Sequence, residues 1–216
     1  MLLDLRIALP AQEKFNILNN SLGVHGLGAN ETINNPFNGL GIPCANLSGV
    51  HEGSILVLDL QEQTDLLAKH ISESMPSVLL LHSLACLIGS FLDNELTNGI
   101  SELYIVAPVY SEEIRQGLID RYSSETDISP NNDFYITPEF IQDLTRISCV
   151  DRINKLIERF KGNIHIILPI NDYEKCGHKE LIDFVNNLKR SNITIHQIDD
   201  RHNCASQSFK DIFIQK

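Results

Sequence analysis

The chain has no tryptophan, only two methionines and no pair of cysteines at C-x-x-C spacing. Its five cysteines, Cys44, Cys86, Cys149, Cys176 and Cys204, are scattered and odd in number. A disulfide framework or a zinc ribbon needs closely spaced thiol pairs, so neither is expected, and no metal or other cofactor is assigned. Reduced thiols fit a cytoplasmic location. Positive charge is short as well: 17 Lys and Arg stand against 28 Asp and Glu, a formal net charge of −11. No nucleic-acid partner is expected, because phosphates must meet a basic face. No apolar run approaches the ~20 residues of a membrane helix. Asp4 interrupts the stretch that would be the apolar centre of a secretory signal, so none is expected. There is no Gly-Lys-Ser/Thr phosphate loop, and no G-x-G-x-x-G opens a helix.

What remains is an ordinary supply of core-forming residues. The 216 residues are 43% hydrophobic and 21% charged, enough for a single domain with one core. Periodicity divides the chain as follows. Residues 2–9 read as an edge strand ended by Pro10, and 15–25 as a weak second strand. Residues 30–38 read as a polar loop or short helix, 39–47 as a short strand, and 48–54 as a glycine-rich loop. A helix is expected over about 60–74, stopped by Pro76. Strands follow at 77–81 and 103–107. The segment 109–147 is polar and irregular, with Pro130 and Pro138, and reads as a lid, a binding insertion or a surface loop. Thr137-Pro138 marks a helix start within it. Beyond it come a helix at 150–160, a strand at 164–170, a helix at 177–190, a strand at 193–198 and a closing helix at 205–215. Strands alternating with helices imply an α/β fold with a mostly parallel sheet, covered on both faces.

The stretch 77–89 organises the rest. An apolar run ends in His82-Ser83, and Leu84, Leu87, Ile88, Phe91, Leu92 and Leu96 follow at helical spacing. Ser83 in so short a strand-to-helix turn is either a nucleophile beside helix N–H groups or a helix N-cap. Asp172 and His202 also follow strands, so all three lie at strand carboxyl ends, where open α/β sheets bind ligands. A serine needs a base to take its proton, and the base needs a carboxylate to hold its tautomer. Asp172 can also be read as a turn or cap residue and His202 as a loop residue. Asp199 and Asp200 are rivals for the acid, and His178 and His196 for the base. His25 and His82 are expected to be structural.

On these residues the chain resembles the α/β-hydrolases over nearly its whole length. Val24-His25-Gly26-Leu27-Gly28 is similar to the family's His-Gly oxyanion segment. Residues 40–54 resemble the following strand and its Gly-x-Ser loop. Leu81-His82-Ser83-Leu84-Ala85 resembles the nucleophile elbow, in a degenerate form: Leu81 and Ala85 stand where the family has glycines. Asp172 and His202 sit where the family has its acid and histidine loops. The resemblance implies an α/β-hydrolase fold, possibly shortened at its N-terminal sheet edge, as one domain over 1–216 with 109–147 as a lid or binding insertion. It implies Ser83 as nucleophile, His202 as general base, Asp172 as orienting acid, and the backbone N–H groups of Leu27 and Leu84 as the oxyanion hole. The implied activity is that of a serine esterase or thioesterase on a small acyl ester. A hydrolase fold kept only for binding, and a lyase or acyltransferase on this fold, are the other readings. Oligomeric state and substrate are not legible.

Overall fold

In the computed structural model, residues 20–27, 35–123, 129–131, 134–172 and 176–213 are described. The chain opens with β1 (Ser21–Val24), a 3-10 turn at Asn38–Leu40, β2 (Cys44–Ala45), β3 (Ser48–His51), β4 (Ser54–Val57) and α1 (Leu60–Ser74). Next come β5 (Val78–His82), α2 (Ala85–Gly89), α3 (Asn94–Thr97) and β6 (Glu102–Val106). The stretch that follows holds α4 (Glu112–Tyr122), β7 (Ser129–Asn131), β8 (Phe134–Ile136) and α5 (Pro138–Thr145). The chain closes with α6 (Cys149–Arg159), β9 (Asn163–Pro169), α7 (His178–Leu188), β10 (Ile193–Ile198) and α8 (Gln207–Asp211).

Six strands form the main sheet in the order β10-β9-β6-β5-β1-β2. Every neighbouring pair in it is parallel. The apolar run of β5 follows from its place: β1 and β6 flank it, and both faces are covered. Leu79 and Leu81 pack with Leu67 and Ile71 of α1 and Ile153 of α6 on one face. Val78 and Leu80 pack with Phe37, Leu40, Phe209 and Phe213 on the other. Helix ends follow their sequence signals. The Asp59 carboxylate accepts the Glu62 N–H at 2.7 Å and starts α1. Met75, in the left-handed region, ends α1 just before Pro76. Thr137 caps α5 with Pro138 in the first position, as expected.

Three expectations are corrected. Residues 48–54 are not a loop but the hairpin β3–β4, whose register pairs His51 with Ser54. Its two-residue turn puts Glu52 (φ 50) and Gly53 (φ 78) in the left-handed region, which suits the twist of paired strands. Glutamate at the first turn position hides that signal. Residues 109–147 are not irregular: α4, β7, β8 and α5 lie there, and β8 joins β4 to make a second sheet, β3-β4-β8-β7. Short strands that pair far along the chain leave little local pattern. The helix after Ser83 is also shorter than the 84–96 spacing suggests. It ends at Gly89, passes through tighter turns (Ser90 N–H to Leu87 O, Phe91 N–H to Ile88 O, both 3.0 Å) and restarts as α3. The strand expected at 2–9 lies outside the described residues.

Gly89 explains how Leu81 fits the elbow. Leu81 is fully buried, and a Cβ built on Gly89 would overlap its Cδ1. The bulk added by Leu81 is thus received by a glycine eight residues on. Gly89→Ala is expected to destabilise the fold by about 1–3 kcal/mol. In a Leu81→Ala background the same change should cost far less. Denaturant titrations of the two single variants and the double variant will show a coupling above about 0.5 kcal/mol; additive effects would refute the pairing.

Candidate active site

The parallel sheet puts the ends of β1, β5, β9 and β10 on one edge, and the site is assembled there. Chain order sends β2 outward from β1 on one side and β5 to the other, so the strand order reverses between β1 and β5, the position where such sheets bind ligands. Ser83 follows β5 with φ 56, a left-handed conformation costing about 1 kcal/mol or more in a non-glycine residue. Its N–H donates to Val106 O at 2.9 Å, and its carbonyl accepts the Cys86 N–H at 3.1 Å. Ser83 does not cap α2: the cap position is Leu84, and no side chain bonds there. Its hydroxyl instead lies 2.7 Å from His202 Nε2.

His202 Nδ1 lies 3.0 Å from each oxygen of Asp172. A carboxylate only accepts, so Nδ1 carries the ring proton and Nε2 is left to accept from Ser83. Asp172 does not cap α7, whose cap position is Gly177. Its side chain is 2% exposed. The rival residues lie elsewhere. Asp199 accepts from Asn171 at 2.7 Å. Asp200 shapes the histidine loop, accepting the Arg201 N–H at 2.7 Å and the Ser206 N–H at 2.9 Å. Its carbonyl also takes the Asn171 N–H at 3.0 Å, tying the Asp172 and His202 loops together. His196 bonds His165. His178 lies beside Asp172, with Nε2 3.4 Å from Oδ2; burial lowers its pKa against the pull of the Asp172 charge.

The backbone after β1 reaches the site through Gly26. A Cβ built there would stand 2.8 Å from Ser83 Cβ and 3.2 Å from its Oγ, so only glycine lets the chain pass this close. Leu27 and Leu84 line a cavity of about 10 Å³ at this point, with Gly26, Leu47, Val57 and Ile88, room for about one water molecule. The five thiols are unbridged. Burial raises the pKa of Cys86 and Cys204, so neither is a ready nucleophile. Among the described residues, Asp172, Cys176 and His178 are the side chains able to hold a metal ion together, their donor atoms all within 4.8 Å of one another.

Sequence reasoning missed the role of His82. Its Nε2–H donates to the His202 carbonyl at 2.8 Å, fastening the histidine loop to the end of β5. Nothing in the pattern of residues marks a bond spanning 120 positions. Burial pushes the His82 pKa down to about 4, against the opposing pull of that carbonyl. The ring is therefore neutral near pH 7 and keeps the N–H it donates. Unfolded His82 takes a proton near pH 6.5 and the folded form only near 4, so the unfolded chain binds more protons between those values. Stability is thus whole above about pH 6.5 and falls by up to about 3 kcal/mol by pH 4. His178 adds a slope of the same sign. Urea titrations from pH 7.5 to 4 should show the decline, and His82→Gln, which keeps an N–H donor, should flatten it; an unchanged slope would refute the assignment.

No family model matches the chain, and no curated protein sequence does. Solved structures do. A monoacylglycerol lipase from Paleococcus ferrophilus is similar with a TM-score of 0.60 at 16% identity, covering 89% of this chain and 91% of that one. Est1E from Butyrivibrio proteoclasticus is similar with a TM-score of 0.60 at 13% identity, over 89% of this chain and 83% of that one. A thioesterase domain from the curacin biosynthetic pathway is similar with a TM-score of 0.55 at 11% identity, over 89% of each chain. Likeness at such identities speaks for architecture alone, and that architecture, a parallel sheet with an elbow serine at its carboxyl edge, is the α/β-hydrolase fold.

Proposed function

We propose that the chain is a serine hydrolase that cleaves a carboxylic ester or thioester through an acyl-enzyme on Ser83. The observation that carries this is the hydrogen-bonded series Ser83 Oγ, His202 and Asp172, at 2.7 and 3.0 Å. The names of the similar solved structures, a lipase, an esterase and a thioesterase, support the class of bond.

The chemistry follows from the geometry. Ser83 Oγ attacks the substrate carbonyl carbon while His202 Nε2 takes its proton. Asp172 steadies the resulting imidazolium and holds the ring in place. The oxyanion is held by the N–H groups of Leu84 and Leu27, which line one cavity beside Ser83. Collapse breaks the bond to the alcohol or thiol, which leaves with the proton from His202. Water, deprotonated by His202, then releases the acid and restores Ser83. The segment 109–147 is assigned to covering and shaping the site. It begins against it, with the Tyr110 N–H on Cys176 O at 3.0 Å, and its β8 extends the sheet of the β3–β4 hairpin. The fold-for-binding alternative rested on Leu81 and on the weak strand before the oxyanion segment; the space Gly89 leaves for Leu81 weighs against the first of these reasons. Among the described residues no helix is long and apolar enough to cross a membrane.

A fluorophosphonate probe is expected to label Ser83 in the folded chain. Ser83→Ala should abolish labelling and lower ester turnover by ~10³-fold or more, and Asp172→Asn by a comparable factor. No labelling of folded protein would end the proposal.

A further inference from the structure

We propose that Asp172, Cys176 and His178 form a binding site for a thiophilic divalent cation, with zinc the best match, and that its occupancy turns down hydrolysis at Ser83. The second half rests on the proposed role of Asp172; the first does not.

A ring nitrogen and a carboxylate oxygen face each other at this point. His178 Nε2 stands 3.4 Å from Asp172 Oδ2 and has no hydrogen-bond partner among the described residues. A neutral imidazole whose proton sits on Nδ1 can give the Nε2 lone pair to a metal. That nitrogen either offers its proton to the carboxylate or, without the proton, can share a cation with it. The Cys176 Sγ completes the set, 3.7 Å from Asp172 Oδ1.

The spacing is somewhat wider than that around a bound ion. Zinc bonds of about 2.0 Å to nitrogen, 2.0–2.2 Å to oxygen and 2.3 Å to sulfur, at tetrahedral angles, put donor atoms about 3.3–3.6 Å apart. The contacts here are 3.4 Å from His178 Nε2 to Oδ2 and 3.7 Å from the Cys176 thiol, which donates, to Oδ1, and one donor atom from each residue lies within 4.8 Å of the others, so an ion would draw the set inward. One nitrogen, one sulfur and one oxygen suit zinc over magnesium or calcium, which take oxygen alone. Three protein donors leave a fourth position for water. The Asp172 side chain is 2% exposed and that of His178 16%, so the donors act in a water-poor setting. An ion on Asp172 would draw off the charge that steadies the His202 imidazolium, since both carboxylate oxygens lie 3.0 Å from His202 Nδ1.

The test uses the full chain with cobalt(II) as a coloured substitute for zinc, and zinc itself by titration calorimetry. One equivalent of cobalt should give a thiolate-to-metal charge-transfer band, absent in Cys176→Ser. Zinc affinity should fall about 10–100-fold in Cys176→Ser and in His178→Gln. The ratio of ester turnover without zinc to that with zinc should be about 10 or more in the wild type, return to one with a chelator, and stay near one in Cys176→Ser. No band, no stoichiometric zinc uptake, or a band that persists in Cys176→Ser would overturn the site. A band with unchanged turnover would overturn the control of activity. If the fluorophosphonate probe labels nothing, the enzyme reading fails while the cobalt band still decides the metal site.

Discussion

A parallel sheet cannot avoid placing the carboxyl ends of its strands along one edge, and everything functional in this molecule depends on that constraint. Ser83, Asp172 and His202 are far apart in the chain, yet each lies one to four residues beyond a strand of the same sheet. The sheet delivers the three loops to within a few ångströms of each other. Local bonds finish the placement. Asn171 is joined to Asp200, and His82 is joined to His202. The second of these ties joins the loop after β10 to the last residue of β5, next to the serine, and adds to the bond between Ser83 and the His202 ring.

The elbow shows how a fold absorbs a departure from its usual residues. Leucine at position 81 brings bulk to a crowded turn, and Gly89 removes bulk from the helix that packs over it. Gly26 does the same for the backbone on the other side of Ser83. A strained serine is held between two glycine contacts, one above the strand and one beside the hydroxyl. Ser83 keeps its left-handed backbone because its N–H is taken by Val106 and its carbonyl by Cys86. The cost of about 1 kcal/mol is small against the core that β5 buries.

Two histidines near Asp172 differ in kind. His202 offers it a proton along a good hydrogen bond, while His178 turns an unpartnered nitrogen toward it. Asp172 is therefore a point where two environments meet, one leading to the serine and one to Cys176. Buried polar groups gathered around a single carboxylate make its charge sensitive to anything that enters.

Much of this was legible from one dimension. The apolar run of residues 77–81, the helical spacing of 60–74 and 150–160, and the cap at Thr137 are local signals, set by side-chain periodicity and short-range hydrogen bonds, so they survive in a bare sequence. Chain order alone also put Ser83, Asp172 and His202 after strands. The hairpin at 48–57 and the second sheet were not legible, because pairing between β4 and β8 joins residues some eighty positions apart and its strands are short. Nor could spacing choose Asp172 over Asp200 or His202 over His178, all of which come soon after strands of the same sheet. Hydrogen bonds between side chains distant in sequence made that choice, and only a folded chain brings such partners within reach.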